Sequence, residues 1–263
     1  MIMENSKKFV AFLDILGFKQ LVQNNKHAYL IDTFKKFLFM NQYGLANGQV
    51  NQNTADQEEL FNTGISNVHL ISISDSIILF TNDNSIDNFI NIVNTTSTLL
   101  NIGIKEGLPL RGGISCGNFL AVSRKFTNQK FVFSKQLMLG KALVEAYELE
   151  SQQEWSGCII QQSCIEQFSN IAEKAKLNFI IEHHKIIKYD VPLKKEKAKY
   201  YVVNWIKNNH SIDNKNISSA FSKHNKNINS SSVECKIKHT IDFFEYIMKN
   251  KYFSESQAIL EVK

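Results

Sequence analysis

The sequence predicts an α+β protein, a ferredoxin-like α/β sandwich with a C-terminal helical extension. Three observations lead there. Short apolar runs rich in Phe, Val and Ile alternate with stretches of helical apolar spacing, in the order β-α-α-β-β-α-β. With 263 residues, of which 43% are hydrophobic and 21% charged, the chain can build one substantial core. Beyond residue 206 the composition turns to Asn, Ser and Lys, which separates a domain over 1–206 from a basic linker and terminal helix over 207–263.

Each element has its local reason. Lys8 to Leu16 reads as a buried strand ending at Gly17. Tyr29 to Phe39 places apolar residues at 30, 31, 34, 37 and 38, the spacing of a helix. The polar stretch 42–60 reads as a loop, and Val68–Ile73 and Ser76–Phe80 as strands paired across Ser74-Asp75. Asn84-Ser85 can cap a helix with apolar face Ile86, Phe89, Ile90, Val93 and Leu100, ended by Gly103 and Gly107-Leu108-Pro109. A strand over Leu110–Ser115 follows, then a hairpin over 119–133 with Asn128 near its turn. Leu139, Ala142, Leu143, Ala146 and Leu149 mark a helix. A short strand at Cys158–Ile160, a helix to about Ala175, and strands near Leu177–Ile181 and Tyr200–Trp205 complete the domain. Residues 207–232 read as a flexible linker, and Lys236–Tyr252 as a helix.

Composition excludes several classes. Two prolines and eleven glycines are too few for collagen-like or proline-rich material. No apolar run approaches the ~20 residues of a membrane span, and no leader pattern opens the chain, so a soluble cytoplasmic protein is expected. Cys116, Cys158, Cys164 and Cys235 are too scattered for a zinc knuckle and are read as buried small hydrophobes. Most of the net charge of +5 falls between Lys207 and His239, with six Lys against Asp213 and Glu234. The nearly balanced remainder argues against a nucleic-acid-gripping core. Binding of nucleic acid by 206–263 alone is the weakest of the readings.

The chemistry concentrates on two aspartates. Asp14 interrupts an otherwise apolar strand and Asp75 sits between two apolar runs; a carboxylate there is costly unless it is paired or holds a metal. If the strands share a sheet, the two carboxylates meet at its edge, and hard oxygen ligands suit Mg²⁺ or Mn²⁺. The plainer reading is a strand-end aspartate and a turn aspartate. After Asp14, the turn Leu16-Gly17-Phe18 can aim backbone N–H groups at phosphate. Neither a Walker loop nor a GxGxxG occurs. Arg111, ahead of two glycines, is a candidate phosphate or base contact, or a surface ion pair. Tyr43, in the polar segment after the second helix, can stack on a base or simply pack. Ser72 and Ser74 flank the second carboxylate. Glu145, Glu148 and Glu150 read as a solvated or dimer-facing helix surface, and His183-His184, as strand neighbours, point to opposite faces.

FLDILGF, SDSIILF, LRGGISCG and GKALVEAYELE, in that order over residues ~8–205, resemble the catalytic domain of class III nucleotidyl cyclases. The resemblance implies metal binding by Asp14, by the main-chain carbonyl of Ile15 and by Asp75, with two Mn²⁺ or Mg²⁺ ions per site. One ion activates the ribose 3′-hydroxyl and the other neutralises the leaving pyrophosphate. The residues where adenylate cyclases carry purine-selecting Lys and Asp are Ile71 and Leu137 here, and the usual helix Asn and Arg are Val144 and Glu148. Phosphate charge would then be met by Arg111, Lys135 or Lys141. FLDILGFK and GKALxxAYxLE are most similar to the bacterial pyrimidine cyclases of Pycsar antiphage systems. That implies a homodimer with interfacial active sites, turning UTP into cyclic UMP for a separate effector protein. A cytidylate cyclase, a purine cyclase and a non-catalytic nucleotide-binding module are the alternatives.

Overall fold

The computed structural model describes residues 7–45, 50–51, 60–61, 67–127, 132–206 and 212–252. In chain order the elements are β1 (Lys7–Ile15), α1 (Phe18–Gln23), α2 (His27–Leu45), β2 (Val50–Asn51), β3 (Leu60–Phe61), β4 (Val68–Ile73), β5 (Ser76–Thr81), α3 (Ile86–Glu106) and β6 (Leu110–Asn118). Then come β7 (Leu120–Thr127), β8 (Val132–Leu139), α4 (Lys141–Ser151), β9 (Cys158–Ile160), α5 (Gln162–Glu166), α6 (Ile171–Glu182), β10 (Ile186–Pro192), β11 (Lys197–Val203), α7 (Asn214–Ser222) and α8 (Ser231–Asn250). Among the described residues no helix is long and apolar enough to cross a membrane.

The main sheet has seven strands in the order β10-β11-β9-β6-β1-β5-β4. Its β6-β1-β5-β4 part is the ferredoxin-like arrangement, with β1 antiparallel to both β5 and β6. β9 adds parallel to β6, so the sheet is mixed. The hairpins β2–β3 and β7–β8 form separate two-stranded ladders.

β1 reads as continuously apolar because both its faces are covered. Phe9, Ala11, Leu13 and Ile15 face the main core, which includes Leu21, Phe37, Phe89 and Leu99. Val10 belongs to a second cluster with Ile78, Phe119 and Ala142, against which Phe12 and Ile71 pack. Period-2 alternation therefore puts Asp14 on this second side, with Val10 and Phe12.

α4 covers that side because β6 lets it approach. Alternate β6 residues lie beneath the helix: Ser115 Oγ donates to the Ala142 carbonyl at 2.6 Å, and a Cβ on Gly113 would meet Leu149 Cβ at 2.5 Å and the Ala146 carbonyl at 2.6 Å. Gly113 of LRGGISCG thus serves close helix–strand contact, whereas Gly112 makes room for Leu13 of the neighbouring β1. α3 is closed as its sequence predicts at both ends, by Ser85, whose side chain accepts from Asn88 N, and by left-handed Gly107. Gly103 does not end the helix but lies within it, where Leu108 N donates to its carbonyl at 2.8 Å.

Several expectations need correction. Leu177–Ile181, expected as a strand, is the end of α6: Asn170 caps the helix through Glu173 N, and Leu177 and Ile180 bury at helical spacing. The strand that pairs with β11 is instead β10, hidden by the mixed run IIKYDVP. Leu139 belongs to β8 rather than to the helix that follows. Residues 212–232, expected as a flexible linker, form α7, an ordered loop and the start of α8. Asp213 and Asn216 make a reciprocal capping box, and Ile217, Ala220 and Phe221 bury one face of α7. All four cysteines are free; Cys158 and Cys164 are buried, Cys116 is half-buried, and Cys235 is exposed rather than a core hydrophobe.

Candidate active site

Asp14 is the penultimate residue of β1, flanked by Ser76 on β5 and Arg111 on β6. Ser74-Asp75 is the tight turn between β4 and β5, with Ser74 at a left-handed φ of +56°. That turn folds onto the end of β1, where Ile15 N donates to the Asp75 carbonyl at 3.1 Å. The two aspartates the sequence singles out are therefore brought to one end of adjacent strands.

The electrostatics bear out their crowding. Burial first, then Glu150, then Asp75 push the Asp14 carboxyl up to about 7, and Arg111 only partly offsets them. Glu150 is the residue that sequence reading missed. Expected on a solvated or dimer-facing surface, it is 3% exposed and its carboxyl is raised by burial, with Arg111 opposing the shift. Helical spacing carried the signal: Ala142, Ala146, Leu149 and Glu150 share the face of α4 that meets the sheet.

Arg111 is accordingly engaged. Its Nε and Nη2 both reach Glu150 Oε1, at 2.6 and 2.5 Å, and its Nη1 donates to the Gln153 carbonyl at 2.7 Å. Gln153 is itself locked, donating to the Gly112 and Leu149 carbonyls at 2.7 and 2.6 Å and accepting from Trp155 Nε1 at 2.7 Å. Arg111 is thus in an ion pair, but a buried one rather than the surface pair expected, and all three guanidinium contacts stay within the protein.

The other candidates are dispersed. The Leu16 and Phe18 side chains turn to the core, Leu16 nearly buried and Phe18 edge-on to Phe34 at 5.8 Å, and the Leu16 N–H is taken by the Pro109 carbonyl. Gly17 takes φ +83°, which requires glycine. Tyr43, expected beyond the second helix, lies on the α2 backbone, and its side chain falls outside the described residues. Lys135 is on β8 opposite Arg124, its side chain likewise undescribed. Lys141 opens α4 with a largely exposed side chain 3.2 Å from Glu145. His183 and His184 close α6 rather than alternating along a strand. A cleft of about 630 Å³ lined by Tyr189, Tyr201, Tyr246 and Tyr252 lies by β10; of the candidate residues the sequence raised, His184 alone lines it.

Among the described residues no group of three or more His, Cys, Asp and Glu side chains is placed to hold a metal. The expected donor set is smaller, two carboxylates and one main-chain carbonyl. It suits a hard divalent cation in two respects: every donor is oxygen, and the Asp14 carboxyl is destabilised as an anion by burial and by its acidic neighbours, which a cation would relieve.

No protein-family model matches the chain, and no curated protein does. Among solved structures, the guanylyl cyclase Cya2 is similar at 12% identity, over 77% of this chain and 93% of that one, with a TM-score of 0.45. That likeness is too slight to carry anything over to this chain.

Proposed function

We propose that the chain is a nucleotidyl cyclase that closes a pyrimidine nucleoside triphosphate, UTP in preference to CTP, into its 3′,5′-cyclic monophosphate. The observation that carries the reading is the docking of the Ser74-Asp75 turn on the end of β1, through Ile15 N and the Asp75 carbonyl, which sets a second carboxylate beside Asp14. In this reaction the ribose 3′-oxygen attacks the α-phosphorus, the bond to the β-phosphate oxygen breaks and pyrophosphate leaves. Asp14 and Asp75, with the Ile15 carbonyl, would hold two Mn²⁺ or Mg²⁺ ions. Those ions, when bound, supply acidification of the 3′-hydroxyl and neutralisation of the leaving group. Glu150 and the Gln153 carbonyl hold Arg111 beside Asp14 in one orientation. The main-chain N–H groups of Gly17 and Phe18 would border the triphosphate, while Lys141, beside Asn118 at the opposite end of β6 from Arg111, could meet it only from a second copy.

Pyrimidine selection is supported by what is missing. Ile71 and Leu137, where the resemblance puts purine readers, are apolar, so neither can read a purine edge, and the preference for a pyrimidine rests on the resemblance to pyrimidine cyclases. A homodimer is supported by exposed Val122 and Leu137, paired across β7–β8, and by Val144 and Tyr147 on α4. The product would then act on a separate effector, as an antiphage alarm signal.

The test is incubation of the purified chain with each of the four nucleoside triphosphates and Mn²⁺, with products resolved by mass. Cyclic UMP is expected, reduced at least 100-fold in both Asp14→Ala and Asp75→Ala. Cyclic AMP or cyclic GMP as the main product would sink the pyrimidine assignment. No product, with no Mn²⁺-dependent nucleotide binding by calorimetry, would sink the function.

A further inference from the structure

We propose that Lys226, in the C-terminal segment, is a positioning residue for the Asp14–Arg111 end of the sheet. The inference rests on the function proposed above. Two stretches of chain meet at that end: one leaves β1 three residues past Asp14 at Gly17, and the other enters β6 from Gly107, four residues before Arg111. Beyond the last ladder pair, Ile15 with Leu110, they are tied by Leu16 N, which donates to the Pro109 carbonyl at 2.9 Å. Lys226 joins them again, farther from the strands. Its stem crosses the Gly17 Cα so closely that a Cβ there would lie 2.9 Å from Lys226 Cδ. Its Nζ donates to the Gly107 carbonyl at 2.8 Å and to the Ala220 carbonyl at 3.1 Å.

Lys226 is 7% exposed, and among the described residues no carboxylate pairs with it. Burial, with Lys223 nearby, holds its ammonium down to about 7. Burying an ammonium against carbonyls alone is costly, so a group serving only to fill space would more cheaply be apolar. The surrounding loop is built to place it. His224 and Asn225 both adopt left-handed φ, +64° and +56°. The His224 and Asn225 carbonyls accept from the side chains of Asn25 and Asn24 at 2.8 and 2.7 Å, and Asn227 N donates to Gln20 Oε1 at 2.7 Å. His224 Nε2 reaches the Glu106 carbonyl at 2.8 Å; a carbonyl only accepts, so Nε2 carries the proton and Nδ1 accepts from Tyr29 OH at 2.7 Å. The loop thus grips α1, the start of α2 and the end of α3, and sets Lys226 between the two stretches.

The experiment compares the full chain with Lys226→Ala, Lys226→Met and the control Phe243→Leu. Phe243 packs on Trp155 at 4.7 Å and loosens the same segment without touching either stretch. Hydrogen exchange is read on peptides covering 15–20 and 108–112, beside kcat and KM with UTP and Mn²⁺. In Lys226→Ala both peptides are expected to exchange at least tenfold faster, and kcat to fall at least tenfold with KM within threefold. Lys226→Met keeps the stem but no donor, so only 108–112 should loosen; this arm decides the matter if the alanine variant does not fold. Unchanged exchange, a rise no larger than in Phe243→Leu, or faster exchange with unaltered kcat would each overturn the proposal. A wild-type chain that makes no cyclic nucleotide would count against the function, while exchange still decides whether Lys226 fixes the two stretches.

Discussion

Replacing Arg111 by Met keeps most of the side-chain stem and removes the charge, and its cost follows from the burial of the pair. The Arg111 and Glu150 side chains are 12% and 4% exposed and share two contacts, at 2.5 and 2.6 Å. Removing one member of so buried a pair leaves the other uncompensated, a loss of about 3–5 kcal/mol. At about 2–3 °C per kcal/mol for a chain of this size, the melting temperature at pH 8 should fall by roughly 6–15 °C. The stranded Glu150 carboxyl, already raised by burial and next to Asp14 and Asp75, relieves itself by taking a proton, so the loss should shrink at pH 5. Arg111→Met combined with Glu150→Leu removes both charges and should recover most of the stability. Thermal unfolding followed by circular dichroism at the two pH values measures all of this. A single variant melting within about 2 °C of wild type at pH 8, or a double variant no better than the single, would refute the account of a buried pair.

Two further outcomes follow from the same end of the sheet. The Asp14 carboxyl lies near 7 in the folded chain against an ordinary 3.8, so between those values the folded state holds a proton that the unfolded state releases. The stability tied to this group is therefore full below about pH 4 and lost as pH rises through 7; metal-free Asp14→Asn should be more stable than wild type at pH 8 and equal to it at pH 4 by urea midpoint, and a gap that does not narrow would count against the shift. Gly113→Ala puts a methyl within 2.6 Å of the Ala146 carbonyl, a main-chain atom that cannot step aside, so α4 must lift at a cost of about 1–3 kcal/mol; a neutral effect in a denaturation series would show that the helix lies farther from β6.

What the sequence made legible was what local chemistry determines. The apolar run around Asp14, the two-residue turn at Asp75 and the Ser85 and Gly107 caps each carry their own signature, and each stands where the pattern puts it. The residues that escaped notice depend on neighbours distant in sequence. Glu150 reads as one more acidic helix residue until Arg111, 39 positions earlier, is seen beneath it. α7 was lost among polar residues because three apolar side chains suffice for a nine-residue helix that docks on one face. Lys226, in the most linker-like stretch of all, acquires its place only from Gly17 and Gly107, more than a hundred residues away.

The way α4 is used bears on how the proposed reaction would meet its phosphate charge. Val144 and Tyr147 are exposed on the helix, whereas Glu150 is turned inward and consumes the one arginine on this part of β6. Arg111 is thereby held beside Asp14 as a fixed counter-charge, and contact with a triphosphate would require it to leave two contacts to Glu150 and one to a carbonyl. Positive charge for a leaving pyrophosphate would then come from cations on the two aspartates or from a second copy presenting its own α4 surface, Lys141 included, since within one copy Lys141 lies at the Asn118 end of β6. A catalytic unit of this design would respond differently to its two kinds of damage. Loss of Asp14 or Asp75 would remove the proposed turnover and cation binding together, while loss of Arg111 would act first on stability. Under this account loss of Asp14 would touch both cation affinity and the pH dependence of folding, whereas loss of Arg111 would leave both carboxylate donors in place.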